Sequence, residues 1–104
     1  MTTFEALAEP NRRQILDLLR ERELSVGALV ERLRLSQPGV SKHLRVLREA
    51  GLVRSRTEAQ RRIYAVSPGP LEEIDAWLEP YRRMWGDQLD ALERHLDHAR
   101  KESR

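Results

Sequence analysis

The chain has 104 residues, 39% hydrophobic and 35% charged, with 19 Lys and Arg against 17 Asp and Glu. That length fits one domain with an appended element, and a monomer this small has a thin core, for which oligomerisation is a natural remedy. No cysteine is present, which excludes disulfides, thiolate metal sites and thiol redox sensing.

The net charge of +2 names no partner, but its distribution is uneven. Residues 1–35 carry six basic and six acidic side chains, residues 36–62 seven and two, and residues 63–104 six and nine. Positive charge is therefore concentrated in the middle of the chain, as the footprint of a nucleic-acid contact should be. The opening MTTFEALAEPNRR lacks the basic start and apolar run of a signal peptide, and no apolar stretch approaches membrane-spanning length. A cytoplasmic protein with no membrane partner is the expectation.

Phe4 to Leu7 predicts a short lead-in helix with a small apolar face. Pro10 opens a second helix, NRRQILDLLRERE, with Ile15, Leu18 and Leu19 as its buried side and Leu16 flanking. Arg12 and Arg13 fall in its first turn, where the helix dipole disfavours cations; a solvated pair is favoured there over a phosphate contact. Ser25 caps a third helix, VGALVERLR, whose apolar positions are Val26, Leu29, Val30 and Leu33.

A tight turn then leads into SQPGVSKHLRVLREAGLV. Ser36 is its N-cap, Pro38 sits in the first turn where a missing N–H is tolerated, and Gly51 can take the left-handed conformation that ends it. Val40, Leu44 and Leu47 recur at the spacing of one buried face. Gln37, Ser41, Lys42, His43, Arg45 and Arg48 are left to face outward as hydrogen-bond donors, suited to the acceptor-rich edges of the DNA major groove. Two helices joined so tightly, the second with a donor face, make a helix-turn-helix in which the first braces and the second reads.

After Gly51 the period changes. LVRSRT and RRIYAV, separated by Glu58-Ala59-Gln60, predict a β-hairpin crowded with Arg54, Arg56, Arg61 and Arg62. Such a ribbon can lie along phosphates or in a minor groove; the competing reading is an arginine-decorated sheet edge that resists aggregation.

This order of elements resembles the winged helix of ArsR-type bacterial transcriptional repressors. The motifs that carry the resemblance are FEALAEPNRRQILDLL, SQPGVSKHLRVLREAGLV and the R-x-x-Y element within RRIYAV, and they cover roughly residues 4–67. The resemblance implies that Gln37, Pro38, Ser41, Lys42 and His43 face bases or nearby phosphates, and that Arg56, Arg61 and Arg62 lie on the wing. It further implies a homodimer on a palindromic operator of double-stranded DNA, released by an inducer whose identity the sequence does not reveal. Two departures stand out. Where the founding members carry two arsenic-sensing thiolates in E-L-C-V-C-D-L, this chain reads ELSVGAL, with Ser25 and Gly27 at those positions. The wing tip carries Ala59-Gln60 in place of the usual Gly-Arg.

Ser67-Pro68-Gly69-Pro70 breaks the chain and starts a last helical region. Leu71, Ile74, Leu78, Tyr81, Trp85, Leu89, Leu92, Leu96 and Ala99 step by threes and fours in a sustained apolar stripe. Pro80 predicts a kink or break near Glu79. An identical partner helix is the expected cover, with Tyr81, Trp85, Leu89, Leu92 and Leu96 at the dimer interface; W-L-x-x-Y-x-x-x-W resembles the cysteine-free members of the family. Trp77, Met84 and Trp85 read as core more than as an aromatic ligand pocket. His95 and His98 read as a solvated helix end more than as a zinc pair, so neither metal nor cofactor is expected.

The predicted fold is mainly α with a small β-hairpin: a winged helix-turn-helix over residues 1–67 and a C-terminal helical dimerisation segment over residues 68–104, packed on the same domain. The expected function is a sequence-specific, dimeric transcriptional repressor of its own or a neighbouring operon. An enzyme is disfavoured, because no nucleophile–base pair, glycine-rich phosphate loop or metal set is recognisable. The alternative is a winged helix used only as a protein-interaction module, which would need no basic reading face.

Overall fold

The computed structural model describes residues 2–102. Thr2 caps helix α1 (Thr3–Ala8) by accepting from the Glu5 amide at 3.1 Å. A six-residue helix leaves its last four carbonyls without intrahelical donors. Two arginines of helix α2 (Pro10–Glu21) supply them. Arg12 donates to the carbonyls of Ala6 (2.7 Å) and Glu5 (3.1 Å), and Arg13 to those of Leu7 (2.7 Å) and Ala8 (3.1 Å). The pair is thus bonded to the end of α1, with Arg12 half-buried and Arg13 still exposed to solvent. Its charge sits at the negative end of α1, which offsets its unfavourable place at the start of α2. Ala6, not Phe4, anchors α1 in the core, and Phe4 is exposed. On α2, Ile15, Leu16 and Leu19 are buried and Leu18 is only half-buried, so Leu16 and Leu18 exchange the expected roles.

Helix α3 (Val26–Leu33) is capped by Ser25, whose hydroxyl accepts from Ala28 at 3.2 Å. Arg34 ends it in the left-handed conformation at φ 56°, which turns the chain within Arg34-Leu35-Ser36. Helix α4 (Gln37–Glu49) follows at once. The Ser36 hydroxyl accepts from Gly39 at 3.1 Å, and Val40, Leu44 and Leu47 are fully buried. At its end Gly51, at φ 77°, donates to the Arg48 carbonyl (3.0 Å) and Leu52 donates to that of Leu47 (2.9 Å). This is a Schellman closure, in which the buried Leu52 seals the last turn.

Strands β2 (Val53–Glu58) and β3 (Arg61–Val66) form the expected hairpin, in register from Val53↔Val66 to Glu58↔Arg61. An unexpected two-residue strand, β1 (Leu24–Ser25), adds to the other edge of β3, so the sheet order is β1-β3-β2. Leu24, Val53 and Tyr64 join the helical core from one sheet face. Arg54, Arg56, Ile63 and Ala65 occupy the other, as their direct cross-strand pairing requires.

Two compact units are present, Met1–Leu71 and Glu72–Arg104. Helix α5 (Gly69–Glu102) begins in the first and makes up the described part of the second. It is continuous through Pro80, so of the expected kink or break the break does not occur. Pro80 leaves the Ala76 carbonyl without its i+4 donor. Around that turn Arg82 donates to the Asp75 carbonyl (2.8 Å), the Asp75 carboxylate (2.7 Å) and the Glu79 carboxylate (2.9 Å). One guanidinium thereby ties together the turn that proline weakens. Trp77 and Tyr81 meet with ring centroids 5.0 Å apart and their planes tilted by 46°. Tyr81, Met84, Trp85, Leu89, Leu92 and Leu96 are all exposed in the single chain, Leu89 by 65%.

Candidate nucleic-acid interface

The buried triad of α4 fixes which side of that helix faces out. Gln37 and Pro38 in the first turn, then Ser41, Lys42, Arg45 and Arg48, are all exposed, on the side away from Val40, Leu44 and Leu47. Lys42, Arg45 and Arg48 make no ion pair among the described residues, so their charge is uncommitted. Gly39 lets the cap close: a Cβ there would sit 3.0 Å from the Ser36 hydroxyl.

His43 departs from the expected outward set. Its side chain is only 18% exposed, and Nε2 lies 3.9 Å from Glu9 Oε2, an ion pair only when the imidazole is protonated. Its Nδ1 is buried without a hydrogen-bond partner. Glu9 is itself the cap of α2, accepting from the Arg12 amide at 3.0 Å. His43 thus turns back toward the α1–α2 junction. The reason is angular: position 43 lies beside Val40 and Leu47 on the helical wheel, at the border of the buried face.

The hairpin arginines divide into two kinds. Arg61 and Arg62 on β3 are exposed and unpaired among the described residues. Arg54 donates to the Val66 carbonyl at 2.8 Å. Arg56 is held at both ends, Nη2 by Glu23 at 2.8 Å and Nη1 by Glu58 at 2.7 Å. The hydrogen bond with Glu23, then that with Glu58, raises the Arg56 pKa above its ordinary value and secures its charge. Because β1 and β2 flank β3, the Glu23–Arg56 pair spans the middle strand and covers Ile63, which is buried although it is not part of the helical core. Glu23 has no sequence signal, being 33 residues from its partner. The helix and the hairpin are brought together directly, since α4 packs against β2.

Residues 9–55 match the arsR family of bacterial regulatory proteins. The chain is 44% identical over 82 residues to the transcriptional activator HlyU of Vibrio cholerae, spanning 79% of this chain and 73% of that protein. The chain belongs to the ArsR family. It is also 31% identical over 75 residues to the transcriptional repressor SdpR of Bacillus subtilis, across 72% of this chain and 83% of that one. Among solved structures, an ArsR-like transcriptional regulator from Rhodococcus sp. RHA1 superposes with a TM-score of 0.68 at 30% identity, covering 88% of this chain and 86% of that chain. As an ArsR-family winged helix, the chain is a DNA-binding transcriptional regulator and not an enzyme. Its helix-turn-helix is α3–α4 and its wing is the β2–β3 hairpin. No described helix is long and apolar enough to cross a membrane.

Proposed function

We propose that this regulator is a cytoplasmic dimeric repressor that occupies a palindromic operator near its own or a neighbouring operon. The observation that carries this reading is the outer face of α4: six exposed side chains, three of them uncommitted cations, set on a helix rigidly closed at both ends. Gln37, Pro38, Ser41 and Lys42 lie in its N-terminal half, the end that meets base edges when a recognition helix enters the major groove. Ser41 and Gln37 supply discrimination, while Lys42, Arg45, Arg61 and Arg62 neutralise phosphates; Arg56 joins them only by leaving its carboxylates. Occupation of successive major grooves needs two copies. The exposed stripe Tyr81, Trp85, Leu89, Leu92 and Leu96 of the C-terminal segment, residues 68–104, is suited to pair with itself. Repression follows from steric occlusion of a promoter by the bound dimer.

The test is a titration of Ser41→Ala and Gln37→Ala against an operator selected from random duplexes. Each change costs about 1–3 kcal/mol on the selected site and little on random DNA. Equal losses on both kinds of DNA would refute base reading at those positions.

A further inference from the structure

Among the described wing arginines, Arg56 alone has both terminal amino groups bonded to carboxylates. Glu58 is local, two residues along the same strand and on the same sheet face. Glu23 is not: it reaches across β3 from the segment before β1. A DNA phosphate would have to share the Arg56 guanidinium with these carboxylates or displace them. The two ion pairs are solvent-exposed and individually weak, so a phosphate can displace them. The displaced carboxylates nevertheless remain beside the phosphate, where like charges repel. Two acids around one arginine leave the cluster with a formal charge of −1, the opposite of what a phosphate contact needs.

We infer that Glu23 and Glu58 form an acidic latch that withholds Arg56 from the DNA backbone and so limits the wing's affinity for any duplex. This rests on the proposed reading that the hairpin meets phosphodiesters. The latch explains how a wing with four arginines avoids binding DNA indiscriminately: Arg54 and Arg56 are spent within the domain, and only Arg61 and Arg62 are offered freely. Glu23 acts through Arg56 and is a positioning residue. A purely structural role, covering Ile63, would be read in stability and would leave the salt dependence of binding unchanged.

The experiment titrates the full chain against a labelled random-sequence duplex over a series of salt concentrations. Glu23→Gln keeps the shape and removes the charge. It tightens binding by about threefold to tenfold at physiological salt and steepens the log–log salt slope by about one unit, because one more phosphate contact releases its counterion. Glu58→Gln acts in the same direction. Arg56→Ala in the Glu23→Gln background abolishes the gain. The latch is overturned if Glu23→Gln and Glu58→Gln leave the slope unchanged, or if the gain persists without Arg56. If those variants are silent while Arg61→Ala and Arg62→Ala weaken binding, the latch alone fails. If the wing substitutions are silent as well, the wing reading fails and takes the latch with it.

Discussion

His43 Nε2 lies 3.9 Å from Glu9 Oε2, so α4 faces the residue that caps α2. The contact lies behind the reading face. Its chemistry is that of a border position, half in the core and half facing an acid, which suits orienting α4 on the domain.

Replacing His43 therefore reports on folding. His43→Ala lowers stability by about 1 kcal/mol, typical of a truncation at a partly buried site, and leaves the ratio of operator to random-DNA affinity unchanged. Denaturant midpoints and paired titrations check this. Unaltered stability with a loss confined to the operator would return His43 to the reading set.

The wing tip is strained. Ala59 sits at φ 55°, a region that costs a non-glycine residue about 1–2 kcal/mol, partly offset by the greater entropy that glycine loses on folding. Ala59→Gly is expected to stabilise the domain by about 0.5–1 kcal/mol. A thermal midpoint that fails to rise would show that the turn gains nothing from glycine.

Acid should loosen α5 where Pro80 weakens it. Hydrogen bonds from Arg82, then Arg83, lower the Glu79 pKa below its ordinary 4.5. A group with a depressed folded pKa contributes stability above its unfolded value, and that contribution is lost as pH falls through the folded value. Local helicity over residues 75–83 thus declines as pH drops below 4.5, by NMR chemical shifts, and Glu79→Gln removes that part of the titration. An identical acid transition in Glu79→Gln would rule the pair out as its source.

The dimer is tested on the exposed stripe. Leu89→Asp combined with Leu92→Asp places charges where the proposed seam would bury them, which a desolvated interface cannot tolerate. Sedimentation should report a monomer, and affinity for a full palindrome should fall by about 10²–10⁴ as the second contact ceases to be intramolecular. A dimer that survives both changes would place the interface elsewhere, with the exposed Phe4 on α1 the first surface to try.

What was legible in the sequence was local. Ser36, Pro38 and Gly51 mark the ends of α4 because capping and left-handed closure depend on residues within one turn, and the three-and-four spacing of Val40, Leu44 and Leu47 names the buried face. The hairpin showed itself by its change of period. What escaped was set by tertiary pairing. β1 is two residues long and offers no alternation to detect. Arg12 and Arg13 look misplaced at the start of α2 until the carbonyls of α1 are seen beside them. Glu23 and Arg56 are too far apart in the chain for any spacing rule. Of the kink or break expected at Pro80, the break does not occur; the side chain of Arg82 bridges the weakened turn, and no periodicity argument includes such a brace. The residues proposed to read DNA stand where the helical wheel puts them, save His43, whose border position the wheel leaves undecided.

Ser25 belongs to two elements at once. Its backbone pairs with Ile63 on the hairpin, and its hydroxyl closes the first turn of α3. The brace helix and the wing are therefore spliced at a single residue with no linker between them. Any contacts the two make along a duplex would be phased by that splice, so the number of base pairs between the groove read by α4 and the sugar–phosphate ridge met by the hairpin becomes a constant of the fold. On the proposed reading, a new operator would have to evolve by changing letters within that fixed spacing.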